Sequence, residues 1–321
     1  MTNSTAEDSY KAMVIQNVLL FACLGIILAG LGIQSFVVAL NVIDWLKGRS
    51  ITRADKIITS IGISRFFFHT ACLLSLVSMF FVSNIPELIP ILISFILQSS
   101  TISNIWLSTL LSIFFYFMVS TCSNNVFLRL KAIISRKVVC LIIASVLLSV
   151  GYSFFYFLVN DIIFFRNSTH HSISDSQQKQ KILAYISFLW STVPLFMFFM
   201  ASILLIILLA YHISKMNNHG NSMSNTDTYH RTMKFTVFSF IVFALGIFII
   251  FELQMGFLDI LFVGIMVNIY TILQSALLIY VATKLRNQFF RIIRCGTDCL
   301  FNKKTSGPQS RERVEVTSAP L

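Results

Sequence analysis

What most constrains this chain is a succession of long segments almost free of charge. Seven follow one another: Val14 to Ile43, Ile57 to Ile85, Leu88 to Leu128, Val138 to Val159, Ile182 to Ile213, Phe235 to Phe251 and Ile260 to Thr283. An α-helix needs roughly 20 apolar residues to cross the hydrocarbon core of a bilayer. In that solvent every backbone N–H and C=O must be bonded within the protein, which uninterrupted runs of this length achieve as helices. Of 321 residues, 56% are hydrophobic and 12% charged, more apolar surface than one soluble core of this size hides. The pattern predicts an all-α fold, a bundle of seven transmembrane helices forming one membrane domain over residues 1–321.

The third run is too long for one perpendicular span. Pro86 and Pro90 are therefore read as the loop before it, and its last two turns as a projection into the cytoplasm. The sixth, bounded by Lys234 and Glu252, is the shortest. Orientation follows from the basic residues, because short cytoplasmic loops carry the excess of lysine and arginine. With the N-terminus outside, the inner segments hold nineteen of the 24 and the outer segments only Lys11, Arg166, Lys179 and Lys181. The expected layout is a short extracellular N-terminus at 1–13, a second extracellular loop at 160–181 and a cytoplasmic C-terminal tail at 284–321. The glycosylation sequons at Asn3 and Asn167 both fall on the outer side. Glu7, Asp8 and Lys11 before the first run speak against a cleaved signal peptide. The net charge of +11 has two readings, the topogenic signal with attraction to anionic lipid or a docking face for a cytosolic partner. Neither requires nucleic acid.

None of the six cysteines is placed to bridge extracellular loops. Cys295 and Cys299 follow the last span by a short basic stretch, where palmitoylation is one option and reduced thiols the other. No hydrolase, nucleotide or metal motif is present, so no catalytic residue, metal or cofactor is expected. Asp44, Asp55, Glu87, Asp161, Glu252 and Asp259 all sit at loops or helix ends, whereas a cation-coupled transporter places a carboxylate near the midplane.

Ionisable groups inside a membrane mark function by default. Arg65 lies roughly 12 Å into the second span at about 1.5 Å per residue, with His69 one turn further on the same face. Gln34, Gln274 and Ser275 are polar groups at comparable depth in the first and seventh spans. The reading is a network of Gln34, Arg65, Gln274 and Ser275, either a two-state switch or a structural tie between helices. Residues Gln98 to Ser108 carry seven polar side chains, which line a cavity open to the outside or bond between helices.

The stretch NVIDWLKGRSITRADKIITSIGISR, Asn41 to Arg65, resembles the type 2 (bitter) taste receptors through Asn41, Asp44, Trp45, Lys47, Arg49, Asp55, Ile57, Thr59, Ser64 and Arg65. The likeness continues in Trp106, Thr109, Leu111 and Ser112, the aromatic run Phe114 to Phe117, and FLRLK from Phe127 to Lys131. Pro194, His212, Met216, His230, Thr236, Ser275, Lys284, Leu285 and Arg286 extend it along the chain. Gln34, Thr271, Gln274 and Ala282 depart from the family pattern, as in a divergent member.

The resemblance implies a G-protein-coupled receptor at the plasma membrane, not an enzyme, that binds a small bitter, amphipathic molecule within the helix bundle. It implies activation of a gustducin-like heterotrimeric G protein and leaves a homo- or hetero-oligomer open. Family alignment with helical facing points to Leu97, Thr101, Asn104, Ile247, Phe251, Gly264 and Asn268 for the ligand, and to Arg129, Lys131, His212, Lys215 and His230 for coupling. The alternatives are a vomeronasal type 1-like chemosensory receptor and a small membrane transporter.

Overall fold

The computed structural model of the chain describes residues 2–49, 51–81, 86, 88–120, 124–166, 173–218, 223–255, 260–282, 284–291 and 294. Among the described residues, eight helices fall in the compact unit Met1–Val281. They are α1 (Thr2–Leu46), α2 (Arg53–Phe81), α3 (Leu88–Val119), α4 (Asn125–Arg136), α5 (Val138–Arg166), α6 (Ile173–Asn218), α7 (Met223–Met255) and α8 (Ile260–Val281). Six contain segments long and apolar enough to cross a bilayer: Met13–Leu46, Arg53–Phe80, Leu88–Val119, Val138–Val159, Thr192–Ser214 and Phe262–Tyr280. In α7 the described apolar stretch is Thr232–Gly246, and the helix itself continues to Met255. Residues 284–291 form a further helical stretch in a separate unit, Ala282–Leu321.

The bundle is apolar outside and polar within. Phe21 is 71% and Leu147 64% exposed, while Gln34, Arg65, His69, Asn104, Asn268 and Gln274 are buried. This inversion is what a hydrocarbon solvent requires, since lipid accepts leucine and phenylalanine but offers nothing to an amide. Helix α3 packs against α2, α5 and α6, α1 against α2 and α8, and α7 against α6 and α8. An aromatic and aliphatic cluster of Ile102, Ile105, Tyr152, Leu195, Phe198, Phe243 and Tyr270 joins α3, α5, α6, α7 and α8. Within it the Phe198 and Phe243 rings stack 4.0 Å apart. Cys23, Cys72 and Cys140 are free thiols.

The structure corrects the reading of the third apolar run. Its last turns are not a continuation of α3, because α3 ends at Val119 and a separate helix, α4, begins at Asn125. The Asn124 side chain caps α4 by accepting from the Val126 N–H at 3.1 Å. Lys131 of α4 turns back and donates to the carbonyl of Ser120 at 3.0 Å, meeting the orphan acceptors and negative dipole at the end of α3. Pro90 likewise lies in the first turn of α3 rather than in the preceding loop, where its missing N–H has no helical partner to lose.

The motif between α1 and α2 has a local physical account. Gly48 adopts φ +68°, the left-handed conformation that glycine tolerates best. The Gly48 N–H bonds the carbonyl of Trp45 and the Arg49 N–H that of Asp44, each at 3.0 Å, the Schellman arrangement that ends a helix. The Arg49 guanidinium reaches the Asp44 carboxylate at 3.0 Å. Three residues on, Thr52 and Asp55 cap α2 reciprocally, Asp55 accepting from the Thr52 N–H and Thr52 from the Asp55 N–H. Gly48 and Thr52 are therefore as much part of this motif as the charged residues on either side.

Candidate functional site

Arg65 is 2% exposed and holds three neutral acceptors from two other helices. Its Nε donates to Asn104 Oδ1 at 2.9 Å, Nη1 to Ser275 Oγ at 2.7 Å and Nη2 to Gln274 Oε1 at 2.5 Å. Gln34 donates to the same Ser275 oxygen at 2.6 Å. Ser275 passes its own proton to the Thr271 carbonyl at 2.8 Å. That hydroxyl therefore accepts twice and donates once, its full capacity. Gln274 uses its amide nitrogen on the Tyr270 hydroxyl at 2.7 Å. The four residues Gln34, Arg65, Gln274 and Ser275 thus meet, and Asn104 brings α3 into the same network.

A second polar layer adjoins the first. His69, with no exposure, faces Asn268 Oδ1 through Nδ1 at 2.8 Å and Thr271 Oγ1 through Nε2 at 3.2 Å. Asn268 spends its amide N–H on the Gly264 carbonyl at 2.7 Å, which leaves its oxygen as the acceptor. His69 therefore donates from Nδ1, while the single Thr271 hydroxyl proton lies between the Asn268 carbonyl at 2.8 Å and His69 Nε2 at 3.2 Å. Ser64 adds a bond from α2 to the Ser100 carbonyl of α3 at 2.9 Å.

Two glycines make room for these layers, Gly30 for the second and Gly246 for the first, and sequence reasoning does not find them. A Cβ at Gly30 of α1 would stand 2.5 Å from His69 Cε1, and one at Gly246 of α7 would intrude on the Tyr270 ring. Helices α1 and α7 approach α2 and α8 closely because these positions carry no side chain. Neither glycine sits in a motif, and nothing in an apolar run signals which glycine faces a neighbour.

The energetic terms are comparable in size. Hydrogen bonds to a charged group contribute about 1.5–3 kcal/mol each, while taking a guanidinium out of water costs several kcal/mol. Three well-directed bonds offset that cost only while α2, α3 and α8 keep their present relation. A displacement of one of these helices would remove more than one bond at once.

The remaining predicted positions are distributed as follows. Thr101 is half-buried, and its hydroxyl bonds the Leu97 carbonyl at 2.8 Å within α3. Leu97 and Gly264 are also half-buried, while Asn104 and Asn268 belong to the two polar layers. Ile247 and Phe251 lie in α7 with side chains outside the described residues. Arg129 is exposed on α4, Lys131 turns toward α3, and His212 is half-buried near the end of α6, its ring edge-on to Tyr211. The side chains of Lys215, His230 and Asn3 lie outside the described residues, as do Asn167, Cys295 and Cys299.

A family model described as Taste receptor protein (TAS2R) matches residues 12–297, a range that holds both polar layers and all eight helices but the first turns of α1. The chain belongs to this family. It is a divergent type 2 taste receptor. It is 28% identical over 263 residues to taste receptor type 2 member 103 of Rattus norvegicus, covering 76% of this chain and 79% of that one. It is 30% identical over 237 residues to member 14 of Homo sapiens, covering 68% and 71%. Against member 50 of Macaca mulatta it is 26% identical over 291 residues, covering 83% and 92%. The protein is accordingly a seven-transmembrane, multi-pass receptor of the bitter taste class rather than an enzyme, responding to tastants and coupling to a G protein.

Proposed function

We propose that this taste receptor resides in the plasma membrane with its N-terminus outside, binds uncharged amphipathic bitter molecules within the outer half of the bundle, and signals through a gustducin-like heterotrimer. Leu97, Thr101, Asn104, Ile247, Phe251, Gly264 and Asn268 form the ligand site in this reading. Its lining is largely neutral, so affinity comes from apolar burial with a few hydrogen bonds. The switch is the network of Gln34, Arg65, Gln274 and Ser275. Arg129, Lys131, His212, Lys215 and His230 form the coupling face, with anionic inner-leaflet lipid as a further partner of the basic loops.

The observation that carries this reading is the sharing of Asn104 and Asn268. Asn104 accepts from Arg65, and Asn268 faces His69, so a ligand that draws either asparagine toward itself withdraws an acceptor from the layer beneath. A ligand shifts an equilibrium only by its differential affinity for the two states, and a hydrogen bond exchanged between ligand and network supplies such a difference. The test is expression with a promiscuous G protein and intracellular calcium recorded against a panel of bitter compounds. Arg65→Ala is expected to alter basal or ligand-driven signalling at normal surface density, and unchanged signalling returns Arg65 to a packing role. Thr101→Trp is expected to abolish the ligand response by filling the site. A full response in that variant removes Thr101 from the pocket.

A further inference from the structure

Every hydrogen-bond partner that Arg65 has among the described residues is neutral. A guanidinium carries five N–H donors, and these bonds use three. The described carboxylates at the ends of the first two spans are engaged elsewhere: Asp44 pairs with Arg49 and Asp55 caps α2. Among the described residues, the interior of the bundle thus holds a dispersed positive charge with no carboxylate paired to it.

Beside that charge the bundle is hollow. A cavity of about 40 Å³ lies between α2, α3, α6, α7 and α8, and Arg65 stands in its wall together with the Gln274 amide and the hydroxyl residues Ser108, Ser112, Ser202, Thr236 and Ser239. A single water needs roughly 10–15 Å³ on this measure, so the space admits about three waters, or one monatomic ion with a water. Ser202 is 1% exposed, and its hydroxyl has no hydrogen-bond partner among the described residues, an unusual condition for a buried polar group. The rest of the wall is mainly phenylalanine and leucine, and among the described residues it contains no carboxylate.

A wall made of one cation, several hydroxyl donors and apolar side chains repels metal ions and attracts anions. Water alone would satisfy Ser202 but bring no counter-charge to Arg65, whose three hydrogen bonds do no more than offset its desolvation. We infer that this cavity binds one monovalent inorganic anion of chloride size, held by the Arg65 guanidinium and the Ser202 hydroxyl. The ion acts as the missing counter-charge. It also ties Arg65 to α6, which its hydrogen bonds do not reach, so its occupancy is coupled to the separation of α2 and α6. The inference does not depend on which tastant or G protein the receptor uses.

The test uses the purified full chain in lipid nanodiscs at constant ionic strength, with gluconate replacing chloride. Chloride NMR linewidth is expected to show broadening that saturates and is displaced by bromide but not by sulfate. Ser202→Leu, which fills the cavity without touching an Arg65 hydrogen bond, is expected to abolish the displaceable broadening. Ser202→Ala keeps the space, removes one donor to the ion, and should weaken chloride on the order of tenfold; it serves if the leucine variant does not fold. Absence of displaceable broadening in the unmodified receptor means the cavity holds water only and overturns the proposal. Displaceable broadening of unchanged affinity in Ser202→Ala places the ion elsewhere and overturns it equally.

Discussion

At Gly30 the Cβ of any other residue would meet the His69 imidazole, whereas Gly25 and Gly32 on the same helix have nothing within 4 Å. These three glycines separate two effects that normally act together. Glycine to alanine in a helix interior gains up to about 1 kcal/mol of propensity, and overpacking a filled site costs about 1–3 kcal/mol. Gly25→Ala and Gly32→Ala are therefore expected to leave the thermal midpoint unchanged or raised. Gly30→Ala is expected to lower it, and His69→Ala in the same chain to recover part of the loss. A midpoint unchanged in Gly30→Ala would show that the His69 ring has other space to occupy. For Arg65 the informative replacement is lysine, a single rotating point charge that cannot direct bonds to Asn104, Gln274 and Ser275 together. Arg65→Lys should signal like Arg65→Ala rather than like the unmodified receptor in the calcium assay.

Among the elements, α4 is held differently from the others. It has no buried residue, and its position depends on Phe127 stacked on Phe117 and edge-on to Tyr116 of α3, the Asn124 cap, the Lys131 bond to the end of α3 and a bond from Arg53 of α2 to Ser135. Removing an N-cap of this kind costs about 0.5–2 kcal/mol. Hydrogen exchange is expected to accelerate across residues 125–136 in Asn124→Ala and in Lys131→Met, with protection in the centre of α3 unaltered. Equal protection in both variants would mean that α4 is fixed by contacts other than these. Because α4 carries Arg129 and Lys131 of the proposed coupling face, the same variants should reduce calcium signalling more than they reduce surface expression.

On the scale of the whole molecule, an inside-out distribution of polarity implies that detergent or lipid composition governs stability more than salt does. The proposed orientation has its own test in the two sequons. Asn3→Gln and Asn167→Gln should each remove one glycosidase-sensitive increment in gel mobility, and an N-terminal epitope should bind antibody on intact cells. An epitope reached only after permeabilisation would reverse the topology.

Much of this protein can be read from one dimension because hydrocarbon is an exacting solvent that acts on each segment separately. Span number, the short sixth span and the cost of burying Arg65 are local properties of the chain, and so is the Asn41 to Arg65 motif by which the family is recognised. The partners of Arg65 are a different matter. Gln34 and Ser275 lie 241 residues apart, and Asn104, read from the sequence as a ligand contact, reaches Arg65 only through the rotation of α3 against α2. The rooms that Gly30 and Gly246 leave for His69 and Tyr270, and the cavity walled by Arg65 and Ser202, likewise exist only between helices. Periodicity tells which residues share a face of one helix; the relative rotation and distance of two packed helices decide which faces meet, and only the tertiary structure contains them.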